Sequence, residues 1–388
     1  MPVSAATTVA WGYNYSGQLG DGSTAMRTSL VTVGGAGASA TAVAAGGYHS
    51  MIVSGGAVYT VGDNFYGQLG GAAAVSARSA VASVDALTSG VTAAAGGAYH
   101  SLAIQNGAAY AWGNNDWGSL GEGTKVSRST PAVVTGLTSN VTAIAGGGYH
   151  SLAIRSGAVY AWGYNFNGQV GDASTTSRTA PVAISSLSSG VTAIAAGANH
   201  SLAIRNGAAY AWGANGYGQL GDNTTTQRSS PVAVTGLTSG VTAIAAGQSH
   251  NLAVRNGSVY SWGDNAFGQL GDGTTTDHRT AALVAGLTDI VSVAAGALSS
   301  YALAGDGSLW AWGYNSLGNL GVGDTIDRLA PTQILAPAGY RFASIDADAQ
   351  GDFAVATLVA IPEPAVLGGV MVMMLGLKRV RIPERRKS

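Results

Sequence analysis

Short runs in which apolar and small polar residues alternate recur along this chain at a fixed spacing. Val191-Thr192-Ala193-Ile194 is one, Ser201-Leu202-Ala203-Ile204 a second and Ala209-Tyr210-Ala211-Trp212 a third. Alternation with period two marks a half-buried strand, because successive side chains point to opposite faces. Between the second and third runs stands Arg205-Asn206-Gly207. Asn-Gly flanked by apolar runs predicts a two-residue hairpin, since both residues accept the positive φ of a type I′ turn. The same turn reads Asn106-Gly107 and Asn256-Gly257 elsewhere, and Ser156-Gly157 once. After Trp212 come a Gly-rich loop, a Thr-rich stretch over 222–228 and then Pro231-Val232-Ala233-Val234. That last segment predicts a fourth strand, with Pro at its start, where a missing N–H does least harm. Helical periodicity is absent from the unit.

The unit is copied along the chain. A Trp-Gly-x-Asn-x-x-Gly-Gln-Leu-Gly string begins at Trp11, Trp112, Trp162, Trp212, Trp262 and Trp312, with Val61 in place of the Trp in one further copy. Five of the six intervals are 50 residues, and the Val61 to Trp112 interval is 51. So strict a period denotes one supersecondary unit stacked on its copies, none of which buries its apolar face alone. Four antiparallel strands per unit predict a β-propeller blade. The two ends of the chain complement each other. Residues 7–11 form the strand that ends a unit, with no earlier strand before it, and residues 342–355 supply what that unit lacks. Ile345 is matched to Ile194, Phe353 to Leu202 and Val355 to Ile204. The expectation is an all-β, seven-bladed β-propeller over 1–357. Its blades are four-stranded and antiparallel, and the ring closes by pairing the N- and C-terminal strands, which removes exposed sheet edges.

The recurring WGxNxxGQLG string, the Arg and Pro-Val strand after it and the AAGxxHSLAI segment resemble the regulator-of-chromosome-condensation repeat family over residues 7–357. The resemblance implies a seven-bladed propeller in which one blade is shared between the termini. It does not imply one function. Members include a nucleotide-exchange factor of a small GTPase that also binds chromatin, and a secreted bacterial inhibitor of β-lactamase, so fold alone names no activity.

Composition narrows the classes. Charged residues make up only 10%, Gly contributes 59 residues and Cys none. Abundant Gly suits many tight turns, and the absence of Cys excludes disulfides, thiolate metal sites and Cys nucleophiles. It is compatible with export. The net charge of −1 hides a polarity, because Lys378, Arg379, Arg381, Arg385, Arg386 and Lys387 crowd the last eleven positions. Residues 1–361 carry 12 basic against 17 acidic residues, a balance of −5. An acidic body is wrong for a phosphate-facing surface, so no nucleic-acid partner is expected.

His49, His100, His150, His200 and His250 share one position per unit, which Ser299 and Gly351 are matched to in the last two. Ligands at about 2 Å from one ion would need five blades to converge on a point, so no metal is expected there. The expected role is structural, with each imidazole pinning its blade by hydrogen bonds to backbone. The recurring Arg27, Arg78, Arg128, Arg178, Arg228 and Arg328 are expected to tether the loop that precedes the fourth strand. Residues 346–352 echo a calcium loop, with Asp346 and Asp348 at its first and third positions and Gly351 at the sixth. Thr357 stands at the twelfth, where a chelating Glu belongs, and a divergent blade is the better reading. Nearly every His and Asp has a copy in another unit, whereas a catalytic site breaks symmetry. Neither an enzyme nor a cofactor is expected.

Recognition is sought where the copies differ. The two positions after the recurring Asn read Tyr15-Ser16, Phe65-Tyr66, Asp116-Trp117, Phe166-Asn167, Gly216-Tyr217, Ala266-Phe267 and Ser316-Leu317. Equivalent loops of a propeller emerge on one face. Tyr15, Phe65, Tyr66, Asp116, Trp117, Phe166, Tyr217 and Phe267 are therefore the candidate ligand or partner face, aromatics being favoured at binding cores. Packing between blades would use the same rings. A second variable site precedes the His (Tyr48, Tyr99, Tyr149, Asn199, Ser249), and packing is the favoured role there.

Residues 358–388 differ in kind. Pro362-Glu363-Pro364 ends the pattern, an uncharged and mostly apolar stretch runs from Ala365 to Leu377, and the basic cluster follows. A short hydrophobic helix is expected over 365–377, brief for about 30 Å of hydrocarbon, with Lys378, Arg379, Arg381, Arg385 and Arg386 anchoring it by snorkelling. In this order the parts resemble the PEP-CTERM sorting signal of Gram-negative bacteria. The resemblance implies export, transient inner-membrane retention and processing by an exosortase. Residues 1–8 show neither the basic nor the apolar region of a signal peptide; a start codon placed too late would account for this, and the alternative is that the tail is a remnant and the protein stays inside. The functional expectation is an exported, non-catalytic protein-interaction module at the cell surface or extracellular matrix. The alternative is a propeller that binds exopolysaccharide through the same aromatic face, and behind it an enzyme inhibitor or an enzyme acting on cell-wall polymers.

Overall fold

The computed structural model describes residues 7–35, 40–71 and 75–362. They form seven four-stranded antiparallel sheets, as the repeat predicts. Blades one to six span 40–83, 91–133, 141–183, 191–233, 241–283 and 290–334, and blade seven combines 340–360 with 7–32. Blade four is representative. Its strands are Val191–Ala196, His200–Arg205, Ala208–Gly213 and Arg228–Ala233, in order from the central channel outward. Asn206 and Gly207 join the middle two at φ 51° and 76°, the two positive values of the predicted type I′ turn.

The fourth strand begins three residues earlier than the sequence suggested, so Pro231 lies inside it. A register shift between Ala211 and Gly213 loosens the pairing there, and the outermost strand has a ladder on one side only. A residue without an N–H is tolerated on such an edge.

Cohesion comes from between the blades. Trp11, Trp112, Trp162, Trp212, Trp262 and Trp312 are fully buried. Trp262 of blade five packs with Leu202, Ile204, Leu220, Val234 and Leu237 of blade four, and the same pairing of neighbours repeats around the ring. Each indole N–H donates to a carbonyl of the preceding blade, for example Trp212 Nε1 to Gln169 O at 2.8 Å. A buried indole needs such a partner.

Blade seven closes the ring by pairing Thr7–Gly12 with Phe353–Ala360. The assignment of Ile345 to the place of Ile194 holds, since each faces the corresponding Ala of its second strand, Ala356 and Ala203. The second-strand matches do not. Phe353 faces Gly12 as His200 faces Gly213, so Phe353 takes the histidine position and Val355 that of Leu202. Gly351 lies in the preceding loop. The cause is length: five residues, 348–352, join the first two strands here, against three, 197–199, in blade four. A shift of two preserves the alternation of faces, which is why the sequence pattern did not expose it.

Glu363, Pro364 and the expected helix between Ala365 and Leu377, with the basic cluster after it, lie outside the described residues; Pro362 is the last one described. Among the described residues no helix is long and apolar enough to cross a membrane.

Candidate functional site

Two loops per blade meet on one face. One joins the first and second strands and ends on the residue before the histidine position; the other follows the Trp-Gly pair. A backbone hydrogen bond ties them in every blade, as in Asp63 N to Tyr48 O, Ala214 N to Asn199 O and Tyr13 N to Asp352 O, each 2.9 Å. The rim of the channel on this face therefore reads Tyr48, Tyr99, Tyr149, Asn199, Ser249, Leu298 and Asp352. Each outer loop is organised by its recurring Asn. Asn215 accepts the N–H of Leu220 at 2.9 Å and donates to the carbonyls of Thr224 and Thr226 at 3.1 and 3.0 Å. Gln219 accepts the N–H of Tyr217 at 2.9 Å. With its backbone held by buried side chains, the loop is free to vary at its tip. Gly213 sits at φ 107°, where a Cβ would meet Asn199 O and the His200 backbone, so this position admits no side chain.

The loop tips present the predicted residues outward. Tyr15 is 63% exposed, Phe65 74%, Phe166 55%, Tyr217 50% and Phe267 37%, too open for core. Asp116 is exposed, and Tyr66 and Trp117 are half-buried. The rings do not form an even circle. Tyr15, Tyr13, Tyr48, Tyr99 and Tyr149 run along one side with successive centroids 4.9, 6.2, 5.6 and 6.0 Å apart, and Tyr66 and Phe65 branch from Tyr99 at 5.4 and then 4.9 Å. A second group joins Trp117, Tyr164 and Phe166, with Lys125 Nζ 5.7 Å from the Trp117 centroid. Phe267 meets Tyr314, and Tyr217 joins none of these groups among the described residues. The tyrosines before the histidines thus pack on one another and also belong to the surface. Burial, then its neighbour Tyr99, pushes the Tyr48 hydroxyl up to about 12, so it stays a neutral donor. Sequence reading missed Tyr13, Tyr164 and Tyr314. The position between Trp-Gly and Asn varies as freely as the two after Asn, and that variation was the available signal.

The regulator of chromosome condensation (RCC1) repeat matches residues 10–53, 106–154, 156–204, 206–254, 256–303 and 306–351, well over half the chain. The chain belongs to the RCC1 repeat family. No curated protein sequence matches it. Human WBSCR16 is similar in structure with a TM-score of 0.81 at 22% identity, over 92% of this chain and 100% of that one. Yeast RCC1 (Prp20), solved bound to Kap60, gives 0.83 at 23% identity over 93% and 90%. Prp20p from Saccharomyces cerevisiae, described with its binding to Gsp1p and histones, gives 0.80 at 23% over 94% and 93%. At these identities the likeness is one of fold.

Beneath the face of this RCC1-repeat propeller lies a polar seam. His150 Nε2 meets Ser201 Oγ of the next blade at 2.9 Å, and that hydroxyl donates to Gln169 O, the carbonyl that also takes Trp212. Because the hydroxyl hydrogen is committed to the carbonyl, His150 Nε2 carries the proton that Ser201 accepts. The arrangement recurs from His49 to Ser101, His100 to Ser151, His200 to Asn251 and His250 to Ser300. The expected structural role holds, but the partner is the side chain of the next blade, not backbone. Burial holds His49, His150 and His250 down at about 3 and His100 and His200 at about 4, so all five are neutral. The recurring arginines do tether loops, through Asp21, Glu122, Asp172, Asp222 and Asp324, while Arg78 donates to Thr60 Oγ1.

Both contacts of blade seven lack the histidine link, because Ser299 and Phe353 replace the imidazole. On one side Tyr301 OH donates within blade six to Asn319 O, the carbonyl that also takes Trp11 Nε1 of blade seven, and on the other Ser50 Oγ donates to Gln18 O. A carboxylate adds to the second contact: Asp346 Oδ2 accepts Ala45 N at 2.8 Å, from a strand position that the other blades fill with Ala. It faces a channel of about 220 Å³ lined mainly by Ala, Val and Ile. Burial raises Asp346 to about 7 and lifts Asp348 well above the carboxylate range. The acidic run is thus divided between strand, loop and rim of the divergent blade, where Asp352 accepts Asn319 Nδ2 at 3.1 Å.

Proposed function

We propose that this RCC1-repeat protein is a non-catalytic binding module that engages a protein partner through the aromatic side of its loop face, over blades seven, one, two and three. One observation carries the reading. The seven rings from Tyr15 to Tyr149 and Phe65 form one connected surface on loops whose backbones are fixed from below, so little order is lost on binding. Rigid aromatics with few charges are the residues of interface centres. Prp20p is described with Gsp1p and histones, but an acidic body of −5 and the different loop tips give no ground for carrying those partners over.

The setting is part of the proposal. Pro362-Glu363-Pro364, the apolar stretch and the terminal Lys and Arg residues support export from a Gram-negative cell and exosortase handling, with the propeller displayed at the surface or in the matrix. The test is cross-linked capture from the envelope fraction of the source cell, followed by affinity measurement with the purified partner. Phe65→Ala and Trp117→Ala should each weaken binding about tenfold or more, as truncation of a central aromatic does, with the melting transition in place. Unchanged affinity in both variants would remove the aromatic side from the interface.

A further inference from the structure

Blades four and five differ from their neighbours at the same loop positions, and the difference leaves a cavity. Where other blades place Tyr13, Tyr164 and Tyr314 after Trp-Gly, blade four has Ala214. Where others place Tyr15, Phe65 and Phe166, it has Gly216, and the rim residue of blade five is Ser249 where blades one to three have Tyr. Three small residues at one junction open a space of about 390 Å³, within the roughly 300–1,000 Å³ of small-molecule sites. The two extra residues in the blade-seven loop help to bound it, since Gln350 lines the same cavity from across the channel mouth.

The walls are polar but nearly uncharged. Gln219 is 3% exposed, lines the cavity, and its Nε2 has no hydrogen-bond partner among the described residues. In blades one and three the same amide is occupied: Gln68 Nε2 donates to Asp63 at 2.6 Å, and Gln169 Nε2 to Asn199 at 3.4 Å. Gln18 also lacks a partner for Nε2 but is fully enclosed, and Gln269, equally enclosed, lies against Asp264. Asp264, 8% exposed, accepts the N–H of Ala266 at 3.1 Å and is also met by Asn265 N–H and the Gln269 amide, and its two oxygens together still leave acceptor capacity for a ligand. Asn199, Gln248 and Ser249 add amide and hydroxyl groups, and the half-exposed Tyr217 ring forms one side. No Lys or Arg lines the space.

We propose that this cavity is a binding site for a neutral saccharide unit. A sugar hydroxyl donates and accepts at once, which matches an amide donor and a carboxylate acceptor lining one cavity. The apolar C–H face of a pyranose matches an open tyrosine ring. A phosphate or carboxylate ligand would find no cation, and an apolar ligand would strand Gln219 and Asp264 without partners.

The site is tested on the full chain by saturation-transfer NMR with glucose, galactose, mannose and N-acetylglucosamine as probes. At least one should receive transfer on its ring protons. Ala214→Tyr and Ser249→Tyr place in the cavity a residue that other blades carry at the same positions, so the fold tolerates them, and each should abolish the transfer. Asp264→Asn should weaken binding roughly tenfold or more. Phe65→Ala, in blade one, should leave the signal unchanged. The proposal is overturned if no probe receives transfer, if transfer survives both tyrosine variants, or if Phe65→Ala removes it.

Discussion

Ser201 and Asn251 hold the same place in successive blades and make the same two contacts with different atoms. Ser201 uses one hydroxyl to accept from His150 and donate to Gln169 O; Asn251 accepts from His200 through Oδ1 and donates to Gln219 O through Nδ2, at 2.7 and 2.8 Å. Ser201→Ala should therefore cost about 1–3 kcal/mol in urea unfolding, the usual penalty for orphaning a buried donor. Ser201→Asn should recover most of that loss. An Asn variant no more stable than the Ala variant would mean that the histidine link contributes little. The sequence made the histidines legible as architecture, because five copies at one spacing cannot converge on an ion. It hid their partner. His150 and Ser201 lie one full period apart, and a period records that both recur without recording that they touch.

Within a blade, strands, turns and the closing pair were readable because each rests on a local pattern: alternation, Asn-Gly, and complementary ends. What failed were register and reach. The two-residue lengthening of the loop over 348–352 moved Phe353 into the histidine position, and only cross-strand pairing with Gly12 reveals it. The same blade places Asp346 in the channel. Its folded value of about 7 lies above the usual 3.8, so the folded state holds the proton more tightly and this contribution to stability is present at low pH. It is lost as pH rises from about 4 through 7. Asp346→Asn keeps an oxygen for Ala45 N–H and removes the titration. It should raise the melting temperature at about pH 8, above both values, and change it little at about pH 4. A melting temperature unaltered at the higher pH would show that channel water already solvates the carboxylate.

Across the whole ring, uniformity and variation have separate origins. Trp indoles and the histidine links set blade against blade, loop Asn residues order each blade's outer loop, and all repeat because the geometry repeats. The loop tips escape this, so aromatics collect on one side of the face and small residues at the junction of blades four and five. The sequence showed which positions vary but not which varied residues become neighbours, since that depends on ring order and on side chains crossing between blades. The repeated links also give the molecule a collective response to acid. Each of the five histidines titrates near 6.5 when unfolded and at about 3 or 4 when folded, so its contribution is complete above about 6.5 and is lost as pH falls through that window. Asp346, Asp348 and Asp352, with their raised values, act in the opposite direction, binding protons in the folded state first. Their opposition fades at about pH 4, where the unfolded carboxylates protonate too, and there the histidines act together with the arginine-paired Asp21, Asp172 and Asp222, whose lowered values also cost stability in acid. Acid unfolding followed by tryptophan fluorescence should therefore be steep and accompanied by uptake of several protons. The double variant His150→Gln and His200→Gln, which keeps a donor toward Ser201 and Asn251 but cannot titrate, should move its midpoint to lower pH. A midpoint that stays in place would assign the acid sensitivity to the surface carboxylates paired with the recurring arginines.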